Sequence, residues 1–253
     1  MIAERGGESE FFRHFSISTA YATQTGIRHT VNEDRFLFFP PGNRVAEREE
    51  VGFLFAVYDG CGGSKGGAKA AQLAADSCRR FLIEAAPMEP EQRIARFDEL
   101  PLRGNQAVFD GQAADKKFGD MACAGTLCWI WEPSADTEIL RARFAHVGDT
   151  RAYLLREGHA RVLTRDQQVG GVLSNVYGTS PRHFVVDSID IQLQAGDMLL
   201  IGSDGLWKPY DVDLLALAAE AGGDPLRYVR AWLSKAYRNG SDDDLTAIAC
   251  FIY

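Results

Sequence analysis

Residues 51–63 read Val51-Gly52-Phe53-Leu54-Phe55-Ala56-Val57-Tyr58-Asp59-Gly60-Cys61-Gly62-Gly63. The apolar run from Val51 to Tyr58 has the length of a buried strand, and the Asp-Gly pair with its following glycines ends it. From Gly67 to about Glu84 the chain is rich in alanine and leucine without proline, which predicts a helix. An aspartate directly before a glycine at a strand end can aim its carboxylate outward. The glycine lets the backbone bend and lend its carbonyl oxygen to the same centre.

Upstream, Phe15–Tyr21 alternates apolar and polar residues, the period of a half-buried strand. Phe36–Phe39 predicts another, closed by a Pro-Pro-Gly-Asn turn at 40–43, and residues 1–10 are polar and expected to be loose. Downstream, a helix is predicted from about Pro90 with an interruption near Pro101. Strands follow at Thr126–Trp131, Ile139–Val147, Ala152–Leu155, Arg161–Leu163, Phe184–Leu193 and Met198–Gly202. Helices at about 212–220 and 225–237 precede a last strand, Leu245–Phe251. Short connections join antiparallel strands, and the helices come in pairs rather than one per strand. The expected class is α+β and layered, in a single domain over 1–253.

Composition bounds the function. With 35 acidic and 27 basic residues the net charge is −8, and no long Lys/Arg run offers the basic face that nucleic acid or an anionic membrane needs. The cysteines at 61, 78, 123, 128 and 250 are odd in number and form no CxxC pair. A reducing compartment is expected. No stretch approaches the roughly 20 apolar residues of a membrane span, and the first residues lack a signal-peptide pattern. The expectation is a cytoplasmic monomer.

Acidic residues stand wherever an apolar strand starts or stops: Asn32-Glu33-Asp34, Asp59-Gly60, Ser203-Asp204-Gly205 and Asp242-Asp243-Asp244. Oxygen ligands of this kind suit hard cations such as Mg²⁺ and Mn²⁺. Carboxylates gathered at one point repel one another without a cation, so convergence would imply metal. Singly, an Asp-Gly pair is most often a turn, and an Asp run a solvated loop.

In order and spacing these motifs resemble the metal-dependent protein serine/threonine phosphatases of the PP2C (PPM) family, bacterial branch. The resemblance runs over about residues 16–252. It is carried by Gly26-Ile27-Arg28-His29-Thr30-Val31-Asn32-Glu33-Asp34-Arg35, Phe55–Gly63 and Ala124-Gly125-Thr126. Ala145-His146-Val147-Gly148-Asp149-Thr150-Arg151, Leu163-Thr164-Arg165-Asp166, Gly196–Trp207 and Asp243-Asp244-Leu245-Thr246 complete it. The resemblance implies a sandwich of two antiparallel sheets with helix pairs outside and two Mn²⁺ or Mg²⁺ ions at one edge. Asp59 would bridge both ions, Glu33 and the Gly60 carbonyl would serve one, and Asp204 and Asp243 the other. Asp34 would orient a metal-activated water that hydrolyses phosphoserine or phosphothreonine without a covalent intermediate. The implied partner is a phosphorylated protein, opposed by a Ser/Thr kinase. Asp149 and Arg151 are expected to fix local backbone rather than touch substrate.

The chain departs from the family pattern at several places. His29 stands four residues before Glu33, where the family usually has a phosphate-gripping arginine, and Arg28 lies beside it. In a regular strand Arg28 would point to the opposite face. A bulge between Gly26 and Asn32 would turn it inward, and Arg28 is the expected donor on that basis. Asp244 replaces the usual Asn, so Asp244→Asn is expected to leave activity intact or improve it. Cys61 fills the variable place of the Asp-Gly-x-Gly-Gly motif as a small filler. The segment from Gln167 to His183 is a shortened flap without a helical pattern, and Asp120 lies out of register for a third metal. The stretch Gly60–Gly67 fails both nucleotide-loop spacings. A second reading keeps the fold without turnover, as a regulatory binding protein. Single-turnover assays with Mn²⁺ separate the two.

Overall fold

The computed structural model describes residues 2–9, 15–39, 53–62, 66–133, 139–208 and 212–253. The turn expected at 40–43, residues 51–52 of the opening strand and Gly63 lie outside this set. Along the chain come β1 (Ala3–Ser9), β2 (Ile17–Gln24), β3 (Arg35–Phe39) and β4 (Phe53–Gly60). Helices α1 (Gly67–Ala85), α2 (Pro90–Ala95) and α3 (Glu99–Ala114) follow, then β5 (Cys123–Trp131), β6 (Leu140–Val147), β7 (Arg151–Arg156) and β8 (His159–Val162). A small hairpin, β9 (Gln168–Val169) and β10 (Val172–Leu173), leads to β11 (Asp187–Leu193) and β12 (Met198–Gly202). Helices α4 (Leu214–Ala221) and α5 (Pro225–Arg238) precede β13 (Leu245–Ile252).

One sheet has the order β1-β2-β13-β12-β7-β8 and the other β11-β6-β5-β4-β3. Paired neighbours are antiparallel, as the short connections predict. The two-residue period of β4 explains the layering. Phe53, Phe55 and Val57 face the other sheet and meet Ile248, Cys250 and Ile252 of β13. Leu54, Ala56 and Tyr58 face outward onto Ala70, Ala71, Ala74 and Phe81 of α1. On the opposite side Ala247, Ala249 and Phe251 of β13 pack under Tyr228, Val229 and Trp232 of α5. The result is helix pair, sheet, sheet, helix pair. Each large apolar side chain buried in these layers contributes about 1.5–3 kcal/mol.

Two expectations need correction. Residues 3–9 are not loose: they pair with β2 from Ala3↔Thr23 to Ser9↔Ile17, and Glu4 forms an ion pair with Arg230 of α5. Their polar composition suits an edge strand, where one row of backbone groups faces solvent. Pro101 does not interrupt a helix. The break falls at 96–98, and Pro101 sits in the first turn of α3, where its missing N–H costs no helical bond. Among the described residues no helix is long and apolar enough to cross a membrane.

Antiparallel pairing gathers the acidic motifs. Arg35 at the start of β3 lies opposite Tyr58 near the end of β4. Gln24 at the end of β2 lies opposite Leu245 at the start of β13, and Gly202 at the end of β12 opposite Ala247. All four acidic motifs therefore emerge at the same edge of the sandwich.

Candidate active site

Asp59, Asp34, Asp204 and Asp149 lie close enough to act on one another. Burial, then the charges of Asp204, Asp34 and Asp149, push the Asp59 carboxyl well above its usual range. Asp34 is raised by burial, drawn back by the Thr246 and Ser203 hydroxyls, and raised again by Asp244 and Asp204. Asp149 is raised by burial and by Asp204. The backbone N–H of Asp204 donates to Asp59 Oδ2 at 3.2 Å, joining the β12 end to the β4 end. Glu33 lies on the other flank. Burial raises its pKa, with the charges of Asp244 and Asp243 adding to the rise, while His29 and the Ala68 N–H at the start of α1 oppose it. Gly60 is glycine of necessity: a Cβ there would lie 2.5 Å from the Gly67 carbonyl carbon and 2.9 Å from Glu33 Cβ. Both Glu33 and the Gly60 backbone are thus wedged against the first turn of α1.

Asp244 clamps the loop that carries Glu33. Its Oδ1 accepts the Gly26 N–H at 2.7 Å, and its Oδ2 accepts the Glu33 N–H at 2.7 Å and lies 2.8 Å from His29 Nδ1. For stability, the clamp makes asparagine a poorer residue than aspartate here. Asparagine offers one oxygen, so an amide N–H would face a backbone N–H. Asp244→Asn is expected to cost about 1–3 kcal/mol of stability, read as a lower urea midpoint. A midpoint equal to wild type would show that the clamp carries no weight.

The premise about Arg28 and His29 also changes. Residues 27–28 form a turn between β2 and β3, and the His29 N–H donates to the Gly26 carbonyl. No strand alternation separates the two side chains, so no bulge is needed to bring both to the acidic run before β13. Arg28 is exposed, with Nη2 2.8 Å from Asp242 Oδ1 and 3.1 Å from Asp243 Oδ2. His29 is more enclosed. Burial works against its charged form, but the hydrogen bond and charge of Asp244, then Asp243 and Glu33, raise its pKa on balance. Asp243 itself is held by Arg28 and by the Asp244 N–H, which donates to Oδ1 at 2.9 Å.

Sequence reasoning missed two parts. Asp149 does more than fix backbone, because its carboxylate points into the acid cluster. Lys208 was not singled out, yet its Nζ donates to Asp149 Oδ2 at 2.6 Å and to Asp204 Oδ2 at 2.9 Å. The available signal was its spacing, four residues after Asp204 on a helical turn. Arg151 does act locally: it grips Asp166 with two nitrogens and lies 3.5 Å over the Trp207 ring. The segment Gln167–His183, expected as a shortened flap, holds no helix and begins with the β9–β10 hairpin, turned by Gly170 and Gly171 at φ 61° and 80°. Its root is tied to the site, since Gln168 donates to Asp149 Oδ2 and Gln167 accepts the Gly148 N–H. The Cys61 thiol is pushed up by burial and by Asp59, Asp149 and Asp204, which fits an inert filler. Asp120 is exposed in the turn before β5.

These residues fit divalent ions. Mutually raised carboxyls need compensating positive charge, the donors are hard oxygens, and Asp34 Oδ2 is buried with no hydrogen-bond partner among the described residues. A probable protein phosphatase 2C of Arabidopsis thaliana is 26% identical over 262 residues, covering 91% of this chain and 78% of the relative. The fold matches PppA, a regulatory component of the type VI secretion system in Pseudomonas aeruginosa, at TM-score 0.76 and 23% identity, covering 94% and 98% of the two chains. It also matches the catalytic domain of the phosphatase PstP, solved with two manganese ions, at TM-score 0.72 and 18% identity, covering 100% and 99%. The profile of the protein phosphatase 2C family matches residues 27–246, which spans the acidic motifs from Glu33 to Asp244, and this chain belongs to that family of protein phosphatases.

Proposed function

We propose that this chain, as one phosphatase domain, hydrolyses phosphoserine and phosphothreonine esters of proteins at the edge where β4, β12 and β13 meet. The convergence of Asp34, Asp59, Asp149 and Asp204 there is the observation that carries the reading. Asp59, Asp204, Asp243, Glu33 and the Gly60 carbonyl would hold a pair of Mn²⁺ or Mg²⁺ ions. When bound, such a pair lowers the pKa of a water and neutralises charge on the phosphoryl group in flight. The chain's own contribution is placement. Asp34, buried between the Thr246 and Ser203 hydroxyls, offers Oδ2 as acceptor to the attacking water and fixes its direction. No side chain is required as a covalent nucleophile. The partner is a phosphorylated protein, with a Ser/Thr kinase as the opposing enzyme, and the chain acts as a monomer. Phosphate release from phosphothreonine, phosphoserine and phosphotyrosine peptides in Mn²⁺ tests the reading. Turnover of the first two is expected, and no turnover of any would refute it.

Arg28 supplies the substrate grip. Its guanidinium is exposed at the rim and paired to Asp242 and Asp243, so it can turn to a phosphate once Asp243 is neutralised. Arg28→Ala is expected to raise KM for a phosphothreonine peptide by about tenfold, with kcat changed less. His29→Ala should act through the Asp244 clamp and lower stability more than it raises KM. The reverse pattern, a KM effect confined to His29→Ala, would assign the grip to the imidazole.

A further inference from the structure

Lys208 places an ammonium inside the acid cluster. It follows Asp204 by four residues on the turn closing β12, and its Nζ reaches Asp204 Oδ2 at 2.9 Å and Asp149 Oδ2 at 2.6 Å. Its charge does for these two carboxylates what a bound cation would do. The contact is also releasable. The Lys208 side chain is 42% exposed, and Asp149 keeps a second donor, Gln168 Nε2 at 2.8 Å on the same Oδ2, when the ammonium leaves. A divalent ion that takes Asp204 meets a cation already on that carboxylate, and two cations so close repel.

We propose that Lys208 is a tethered competitor of the divalent ion: it compensates Asp149 and Asp204 in the metal-free enzyme and weakens metal binding at Asp204. The inference rests on Asp204 being a metal ligand. It has a signature that ordinary packing lacks, because deleting the charge has opposite effects on two observables. Without metal, the variant leaves its acids uncompensated and melts lower. With metal, the competitor is gone and binding tightens. A residue that only held the turn together would weaken both when replaced.

The test is calorimetric titration of the full chain with Mn²⁺ at fixed ionic strength, with melting in excess chelator measured alongside. Lys208→Gln deletes the charge and keeps a hydrogen-bond donor, and Lys208→Met serves as second variant should the first fail to fold. Each is expected to bind Mn²⁺ about tenfold more tightly or better and to melt lower than wild type in chelator. Lys208→Arg should stay near wild type. Unchanged or weaker Mn²⁺ binding in the charge-deleted variants, with binding lost in Asp204→Asn, would overturn the competitor role alone. Wild-type Mn²⁺ binding by Asp204→Asn would instead overturn the ligand reading beneath it.

Discussion

Asp204→Asn is expected to lower kcat on a phosphothreonine peptide by about a thousandfold or more, equivalent to about 4 kcal/mol of transition-state stabilisation. The substitution changes little in volume, and the residue lies on a short turn whose backbone N–H already bonds Asp59. What it removes is charge, at the point where Asp59, Asp34 and Asp149 respond to it. In the metal-free protein the same change relieves repulsion with Asp59 and Asp149 while giving up one of the two ion pairs of Lys208, so its melting temperature in chelator should not fall in step with its activity. Loss of folding in step with activity would show that Asp204 is structural. Near wild-type turnover would show that the centre is built without it.

Gly26→Ala is expected to have the largest effect on stability, about 3 kcal/mol or more, because the contact it disturbs is backbone on backbone. A Cβ at Gly26 would lie 2.2 Å from the Asp243 carbonyl carbon and 2.3 Å from its oxygen. No side chain is present there to rotate away. Relief would require the 26–33 loop to lift off the 242–244 segment, breaking the Gly26 N–H bond to Asp244 and the Arg28 N–H bond to the Asp242 carbonyl. Gly119→Ala is the control, since the nearest contact of its Cβ would be an ordinary 3.5 Å. Urea midpoints for the two variants should separate widely. Equal midpoints would mean that the loop yields easily.

How far the sequence could be read depends on the range of the forces involved. The strands were legible as strands because their patterns are local, but the alternation of Phe15–Tyr21 misled about burial: β2 lies between β1 and β13 with both faces covered, so Ser18, Thr19 and Ala20 are as buried as Ile17. Short connections and paired helices gave the layered α+β class, and the order of the four layers came from the family resemblance. The polar β1 was missed because its stability comes from the ladder to β2 and from α5, which its own composition does not announce. The acids at strand ends were legible, and the register of β2, β3, β4, β12 and β13 explains why their motifs emerge at one edge, while the ligand set itself came only from the family pattern. Asp244 as a clamp was not legible, since its partners Gly26, His29 and Glu33 are over 200 residues away. Lys208 was hidden for a related reason: spacing showed its turn, but only the approach of β7 brings Asp149 to it.

The most direct test of the account is phosphate release from a phosphothreonine peptide by the full chain, dialysed against chelator and then titrated with Mn²⁺. The account predicts negligible release after dialysis and recovery that saturates with added Mn²⁺, because the gathered carboxylates of Asp59, Asp204 and Asp34 would need the ions to create the nucleophile and neutralise the phosphoryl charge. Undiminished release in excess chelator would contradict it.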